Sequence, residues 1–183
     1  LADTSVSIKD SNSREFLAPL FFVSPSQINY LIPSDVNLGA AVVTVTNKDN
    51  TSSGTILITS VAPGLFTANA DGQGVPAAVL LRIKPDGTQI YEAISQFDSV
   101  SKRFIARPIE LGPDLGSLTD KVFLLLFGTG IQGRASLSSV SLSIGGVESQ
   151  VLYAGSQGGF TGLDQVNALL PRSLMGRGEV NIS

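Results

Sequence analysis

Apolar and polar residues alternate along most of this chain at a period of two, and apolar spacing of the helical kind is nearly absent. Alternation of this sort sends successive side chains to opposite faces, so short, half-buried strands are the elements to expect. In the first part of the chain the pattern predicts strands near 4–9, 16–23, 26–32, 40–47 and 54–61, with Asn47-Lys48-Asp49-Asn50 as a hairpin loop. The step Ala62-Pro63-Gly64 ends the last of them, because proline has no N–H to give a ladder and glycine permits a sharp change of direction. Further strands are predicted near 75–83 and 88–94, joined through Pro85-Asp86-Gly87, and near 103–110 and 121–127.

The chain also repeats itself. Gln27-Ile28-Asn29-Tyr30-Leu31-Ile32-Pro33 returns as Gln165-Val166-Asn167-Ala168-Leu169-Leu170-Pro171. Upstream, Ser5-Val6-Ser7-Ile8 corresponds to Ser141-Leu142-Ser143-Ile144, and the run 20–23 to 151–154. Downstream, Leu38-Gly39 followed by Val43 and Val45 corresponds to Met175-Gly176 followed by Val180 and Ile182. The order is kept throughout, so a whole folding unit is duplicated. The expected fold is therefore all-β, with two tandem immunoglobulin-like β-sandwiches at residues 1–66 and 67–183, the second carrying an elaborated front half.

After Ile182 the first copy's pattern calls for a hairpin and a strand like 55–61, which the second copy lacks. Three readings stay open: the strand belongs to sequence beyond this chain, the edge is open or covered, or another molecule donates the strand. Glu179, Val180, Asn181 and Ile182 are the candidate partner edge. The abrupt start and stop within an alternating pattern suggest a mature or excised piece of something longer.

The blocks Val23-Ser24-Pro25-Ser26-Gln27-Ile28-Asn29, Ala62-Pro63-Gly64-Leu65-Phe66, Gly128-Thr129-Gly130, Ile144-Gly145-Gly146, Tyr153-Ala154-Gly155 and Gly162-Leu163-Asp164-Gln165-Val166-Asn167 together give the chain a likeness over nearly its whole length. It resembles the Solibacter-type C-terminal domain family of large secreted acidobacterial proteins. The resemblance implies an extracellular or cell-surface immunoglobulin-like module with no known activity. It departs from the family at the end, where a further strand closing on an Asn-x-[V/I]-x-[V/I] pattern is usual.

Composition narrows the chemistry. Histidine and cysteine are both absent, which removes imidazole-assisted nucleophiles, thiolate metal sites and disulfides. The net charge is −3 and the basic residues are scattered singly, so no nucleic-acid partner is expected, and the most apolar stretch, 122–127, is too short for membrane insertion. A carboxylate pair drawn from Glu92, Asp98, Glu110, Asp114 and Asp120 is the remaining route to catalysis, but their spacing singles out no pair. Asn69-Ala70-Asp71-Gly72-Gln73-Gly74 has the oxygen atoms of a calcium loop without its full run of acids, so a plain loop is expected and no metal or other cofactor. The Gly-rich segment 155–162 lacks the Lys-Ser/Thr ending of a phosphate loop. Lys121 is the one lysine placed for an isopeptide crosslink, which would require its burial.

Gln27, Asn29, Gln165 and Asn167 stand at alternate positions, so each pair shares one sheet face. They are expected to bond loop backbone as structural amides; a polar binding strip is the competing reading and requires both pairs to be exposed. The functional expectation is a non-catalytic structural or adhesive module whose partners are other protein chains, its sharper form a surface-filament subunit assembled by β-strand addition. The alternative is a polysaccharide-binding accessory domain using exposed aromatics such as Tyr91 and Tyr153, although the chain has no tryptophan.

Overall fold

The computed structural model describes residue 1 and residues 3–183. Among the described residues there is no α-helix, only antiparallel strands and three short 3-10 turns, so the fold is all-β. The chain divides into two compact units, Leu1–Ser60 and Val61–Ser183.

In unit 1, β1 (Thr4–Lys9), β2 (Glu15–Leu17), β5 (Gly39–Asn47) and β6 (Asn50–Ile58) form a sheet in the order β2-β1-β5-β6. The short strands β3 (Leu20–Val23) and β4 (Ile28–Tyr30) form a separate hairpin. The alternation read from sequence is the alternation of burial: Val6 and Ile8 of β1 meet Ala41 and Val43 of β5, with Ala18, Val36 and Ile58 completing the core. The hairpin loop at Asn47–Asn50 forms as expected, closing on an Asn47–Asn50 pair with Lys48 at positive φ.

One predicted strand, 16–23, is cut in two. Pro19 has no N–H to donate, and at this point the chain leaves one sheet for the other, β2 pairing with β1 and β3 with β4. Both flanks of the crossing are still held, since Ala18 donates to the Val6 carbonyl at 2.8 Å and Leu31 donates to the Pro19 carbonyl at 2.9 Å.

In unit 2, β8 (Ala78–Ile83), β9 (Gln89–Ala93), β12 (Lys121–Thr129), β15 (Val151–Ser156) and β16 (Asp164–Leu169) form a sheet in the order β15-β16-β12-β8-β9, with β7 (Gly64–Leu65) also paired to β12. The hairpins β10 (Ser95–Asp98) with β11 (Arg103–Ala106), and β13 (Ser143–Ile144) with β14 (Val147–Glu148), stand apart from it. Strand β12 lies at the centre. Val122, Leu124, Leu125 and Leu126 are all buried, which is why its sequence reads as an unbroken apolar run rather than an alternation. Strand β11 occupies the first part of the strand expected near 103–110, while its partner β10 was not expected; the Asp98 carboxylate turns the chain between them by accepting from the Val100 and Ser101 amides.

The division falls N-terminal to the expected 66/67 boundary for a specific reason. Gly64 and Leu65 pair with Thr129 and Gly128, and Ala62 donates to the Gly130 carbonyl, so the Ala-Pro-Gly-Leu-Phe block belongs with β12. Two glycines make that approach. A Cβ on Gly128 would lie 2.2 Å from the Gly64 carbonyl oxygen, and one on Gly130 would lie 2.0 Å from that of Ala62. Gly130 also has φ +81, a conformation that side chains disfavour. Gly130→Ala is therefore expected to destabilise unit 2 by roughly 3 kcal/mol, read in urea unfolding as a lower midpoint for that unit. Gly54→Ala meets nothing within 4 Å and should leave stability nearly unchanged.

Candidate functional site

The duplicated segments are duplicated in three dimensions. In unit 1, Leu20, Phe22 and Val23 of β3 stand opposite Tyr30, Asn29 and Ile28 of β4, with a register shift between Leu20 and Phe22. In unit 2, Val151, Tyr153 and Ala154 of β15 stand opposite Ala168, Asn167 and Val166 of β16, with the shift between Val151 and Tyr153. Position for position, this is the same pairing and the same bulge. The flanking bonds repeat too. Leu31 to Pro19 at 2.9 Å answers Leu169 to Gln150 at 3.0 Å, Ala18 to Val6 answers Ser149 to Leu142, both at 2.8 Å, and Val36 to Pro33 at 3.3 Å answers Leu174 to Pro171 at 3.1 Å.

Within this frame the four amides do the same thing twice. Gln27 Nε2 donates to Asn29 Oδ1 at 2.7 Å, and Gln165 Nε2 donates to Asn167 Oδ1 at 2.6 Å. The expected bonds to loop backbone are replaced by a bond within each pair, because side chains two apart on one strand face lie close enough to meet. Each pair has an exposed aromatic across the hairpin, Phe22 opposite Asn29 and Tyr153 opposite Asn167. Gln27 and Asn29 are exposed while Gln165 and Asn167 are half-buried, so the exposure of both pairs that a polar strip requires is not met. The Tyr153 hydroxyl donates to the Ser156 carbonyl and is held in place by its own loop.

The units differ at their strand edges. In unit 1, β5 is paired on both sides, by β1 and by β6. In unit 2 the corresponding segment reaches β13 through an Ile144–Ile182 bridge and reciprocal bonds between Ser143 and Ser183 of 2.7 and 2.9 Å. Val180 and Ile182 pack on the core, as Val43 and Val45 do in unit 1. Gly145 leaves room for them, since a Cβ there would come within 3.1 Å of Val180 and 3.2 Å of Leu174. Among the described residues no strand pairs with the other side of 179–182, the edge named from sequence.

Of the five acids weighed for catalysis, the fold brings two to one point. Arg82, 9% exposed, receives Glu92 at 2.6 Å and Asp120 at 3.3 Å and donates to the Glu110 carbonyl at 2.6 Å. The hydrogen bond with Glu92 raises the Arg82 pKa, and the same bond holds the Glu92 carboxyl below its usual range. A general acid needs the opposite shift, so the pair is built as an ion pair. Asp98 is spent on its turn, its pKa lowered by the Ser101 side chain and amide, and Asp114 lies 3.8 Å from Arg172, which also bonds the Leu111 and Gly112 carbonyls. An open cavity of about 300 Å³ lies beside Asp120 and Arg172, lined also by Leu111, Thr119 and Leu170.

The loop weighed for calcium is used otherwise. Asn69 exchanges two bonds with the Phe104 backbone, and the Asp71 carboxylate pairs with Arg103, which lowers its pKa. Among the described residues no cluster of His, Cys, Asp or Glu could hold a metal ion. Lys121 is exposed, which removes the burial a crosslink requires, and Phe160 of the Gly-rich loop is 71% exposed. Sequence reasoning missed two carboxylates. Asp164, 1% exposed, accepts from the Ile131 amide and Gln132, and Asp10 accepts from the amides of Asn12, Arg14 and Asn37 and from the Asn37 side chain. For Asp10, burial works against ionisation, but these donors outweigh it and lower the pKa. The signal for Asp164 was its place inside a repeated block where unit 1 carries Ser26.

No family model, no curated protein and no solved structure matches the chain. No helix among the described residues is long and apolar enough to cross a membrane.

Arg82→Met should cost roughly 2 kcal/mol at neutral pH, since it strands two partly buried carboxylates. The folded-state pKa of Glu92 lies below its ordinary value of 4.5. Its contribution is thus present above that value and is lost as pH falls through the folded-state pKa. Denaturant midpoints measured from pH 7 to pH 3 should therefore converge for the two proteins at the acid end. A constant gap would mean that Arg82 acts through packing alone.

Proposed function

We propose that the chain is a non-catalytic, extracellular structural or adhesive module made of two immunoglobulin-like units, joined to other copies of itself by β-strand addition at the 179–182 edge. The observation that carries this reading is the pairing of the 181–183 segment on one side only, where β5 of unit 1 has a strand on both. Backbone donors and acceptors at such an edge favour a further strand, and apolar residues at alternate positions give that strand a register. The resemblance to the Solibacter-type secreted domains supports an extracellular or surface setting. The commitment of Glu92, Asp120, Asp98 and Asp114 to ion pairs and turns supports a non-catalytic role.

A second reading rests on a separate observation. The amide pair facing an exposed aromatic occurs in both units, and Gln27, Asn29 and Phe22 expose one such group to solvent. This combination suits a sugar, whose hydroxyls take amide bonds and whose C–H face stacks on a ring. A glycan array separates the two: binding lost in Phe22→Ala or Asn29→Ala supports the accessory-domain reading, and a blank array leaves the structural one.

Strand addition predicts concentration-dependent association of the chain in size-exclusion chromatography with light scattering. A peptide with the sequence of β6 (Asn50–Ile58) in excess should return the chain to monomer and protect the Ile182 amide. A chain that stays monomeric at all concentrations, with no effect of the peptide on Ile182, would contradict the proposal.

A further inference from the structure

Unit 1 has a second edge, on β4. Strand β16 is paired on both sides: β15 takes Gln165, Asn167 and Leu169, and β12 takes Val166, Ala168 and Leu170. The Leu170 amide donates to the Val122 carbonyl at 2.9 Å, while its neighbour Leu169 donates the other way, to Gln150. In unit 1, Leu31 makes the bond that Leu169 makes. By alternation the backbone groups of Ile28, Tyr30 and Ile32 then point away from β3, and among the described residues no strand meets them there.

Burial records the difference. Val166, Ala168 and Leu170 are 4%, 0% and 7% exposed under β12, whereas Ile28 and Tyr30 are only half-buried and Ile32 is 41% exposed. Val23 is half-buried where Ala154 is fully buried. Unit 1 thus has a bare backbone edge at the place where its duplicate holds a strand, with Ile28 and Tyr30 packed on the unit 1 core and Ile32 exposed. A polar ligand would leave Ile32 wet, and a contact made by side chains alone would leave the row of backbone groups unpaired. An extended peptide satisfies both demands together.

We propose that the edge of β4 from Ile28 to Ile32 is a strand-acceptor site, distinct from the 179–182 edge, and that its occupant is an extended apolar peptide of the β12 type running antiparallel to β4. The register follows from the duplicate. Val122, Leu124 and Leu126 stand opposite Leu170, Ala168 and Val166, so the same positions of the occupant stand opposite Ile32, Tyr30 and Ile28. By alternation their side chains lie on the face where Ile28 and Tyr30 pack against the unit 1 core, as those of β12 lie on the core face of unit 2.

The test uses the full chain and a synthetic peptide of residues 121–129, KVFLLLFGT, carrying added lysines at both ends for solubility. The chain contains no cysteine, so one introduced thiol is unique. Leu125 stands opposite Asn167 on β16, the counterpart of Asn29, at a non-hydrogen-bonded pair where Cβ atoms approach closely enough for a disulfide. With its thiol activated as a 2-pyridyl mixed disulfide, the Leu125→Cys peptide should therefore crosslink to the Asn29→Cys chain, the chain's thiolate attacking the peptide sulfur and expelling pyridine-2-thione, at least about tenfold faster than to a Ser53→Cys chain on β6. With the unaltered peptide and wild-type chain, amide protection should rise about tenfold or more at Ile28, Tyr30 and Ile32 but not at Leu31. Equal crosslinking at both cysteines, or no rise in protection, would overturn the proposal. Protection at Ile182 instead would assign the peptide to the other edge and overturn it as well, while leaving the strand-addition reading of that edge intact.

Discussion

A strand has two edges, and the backbone N–H and C=O groups on each need partners. That requirement organises this chain more than any side-chain contact does. It puts the apolar strand β12 at the centre of a sheet, with β16 and β8 on its two sides and β7 on its C-terminal end. It explains the glycines at 128 and 130, which exist so that a second backbone can come within bonding distance. It also defines what the two units share and where they part. Inside each unit the hairpin β3–β4 or β15–β16 has the same pairs, the same bulge and the same Gln–Asn bond. Outside the hairpin, each unit pairs an edge that the other leaves bare.

The repeat was the most legible feature of the sequence because it carries side chains that the backbone geometry needs. Gln27-Ile28-Asn29 and Gln165-Val166-Asn167 keep an apolar residue inward and two amides outward, and that pattern is what a strand face reads as. The strands at 4–9, 40–47 and 121–127 were legible for the same reason, each alternating or running apolar over enough residues to be distinctive. Where the reading failed, the chain obeyed a tertiary demand that local pattern does not encode. The 16–23 segment is apolar from end to end, yet Pro19 marks a change of sheet. Strand β10 has no buried residue, so it offered no inward face to read, although its partner β11 falls within the strand expected near 103–110.

The candidate chemistry was legible mainly by exclusion. Without histidine or cysteine the sequence left only carboxylates, and it could not say which would meet. The fold joins Glu92 and Asp120 through Arg82, a residue that stands inside an apolar strand as its single charge. A buried arginine needs anionic partners, and that cue lay in the sequence unread. Asp10 and Asp164 were missed because a carboxylate that holds loop amides looks, in sequence, like any polar residue beside a turn.

The two hairpins are equivalent and their outer edges are not. Native-state amide exchange at neighbouring residues measures both at once, each unit serving as its own reference for stability. Leu31 and Leu169 should both be protected, each bonded across its hairpin, and Leu170 should match Leu169 because β12 covers it. Ile32 should exchange far faster than Leu31. Protection of Ile32 equal to that of Leu31, or a Leu31 that exchanges freely, would contradict the account.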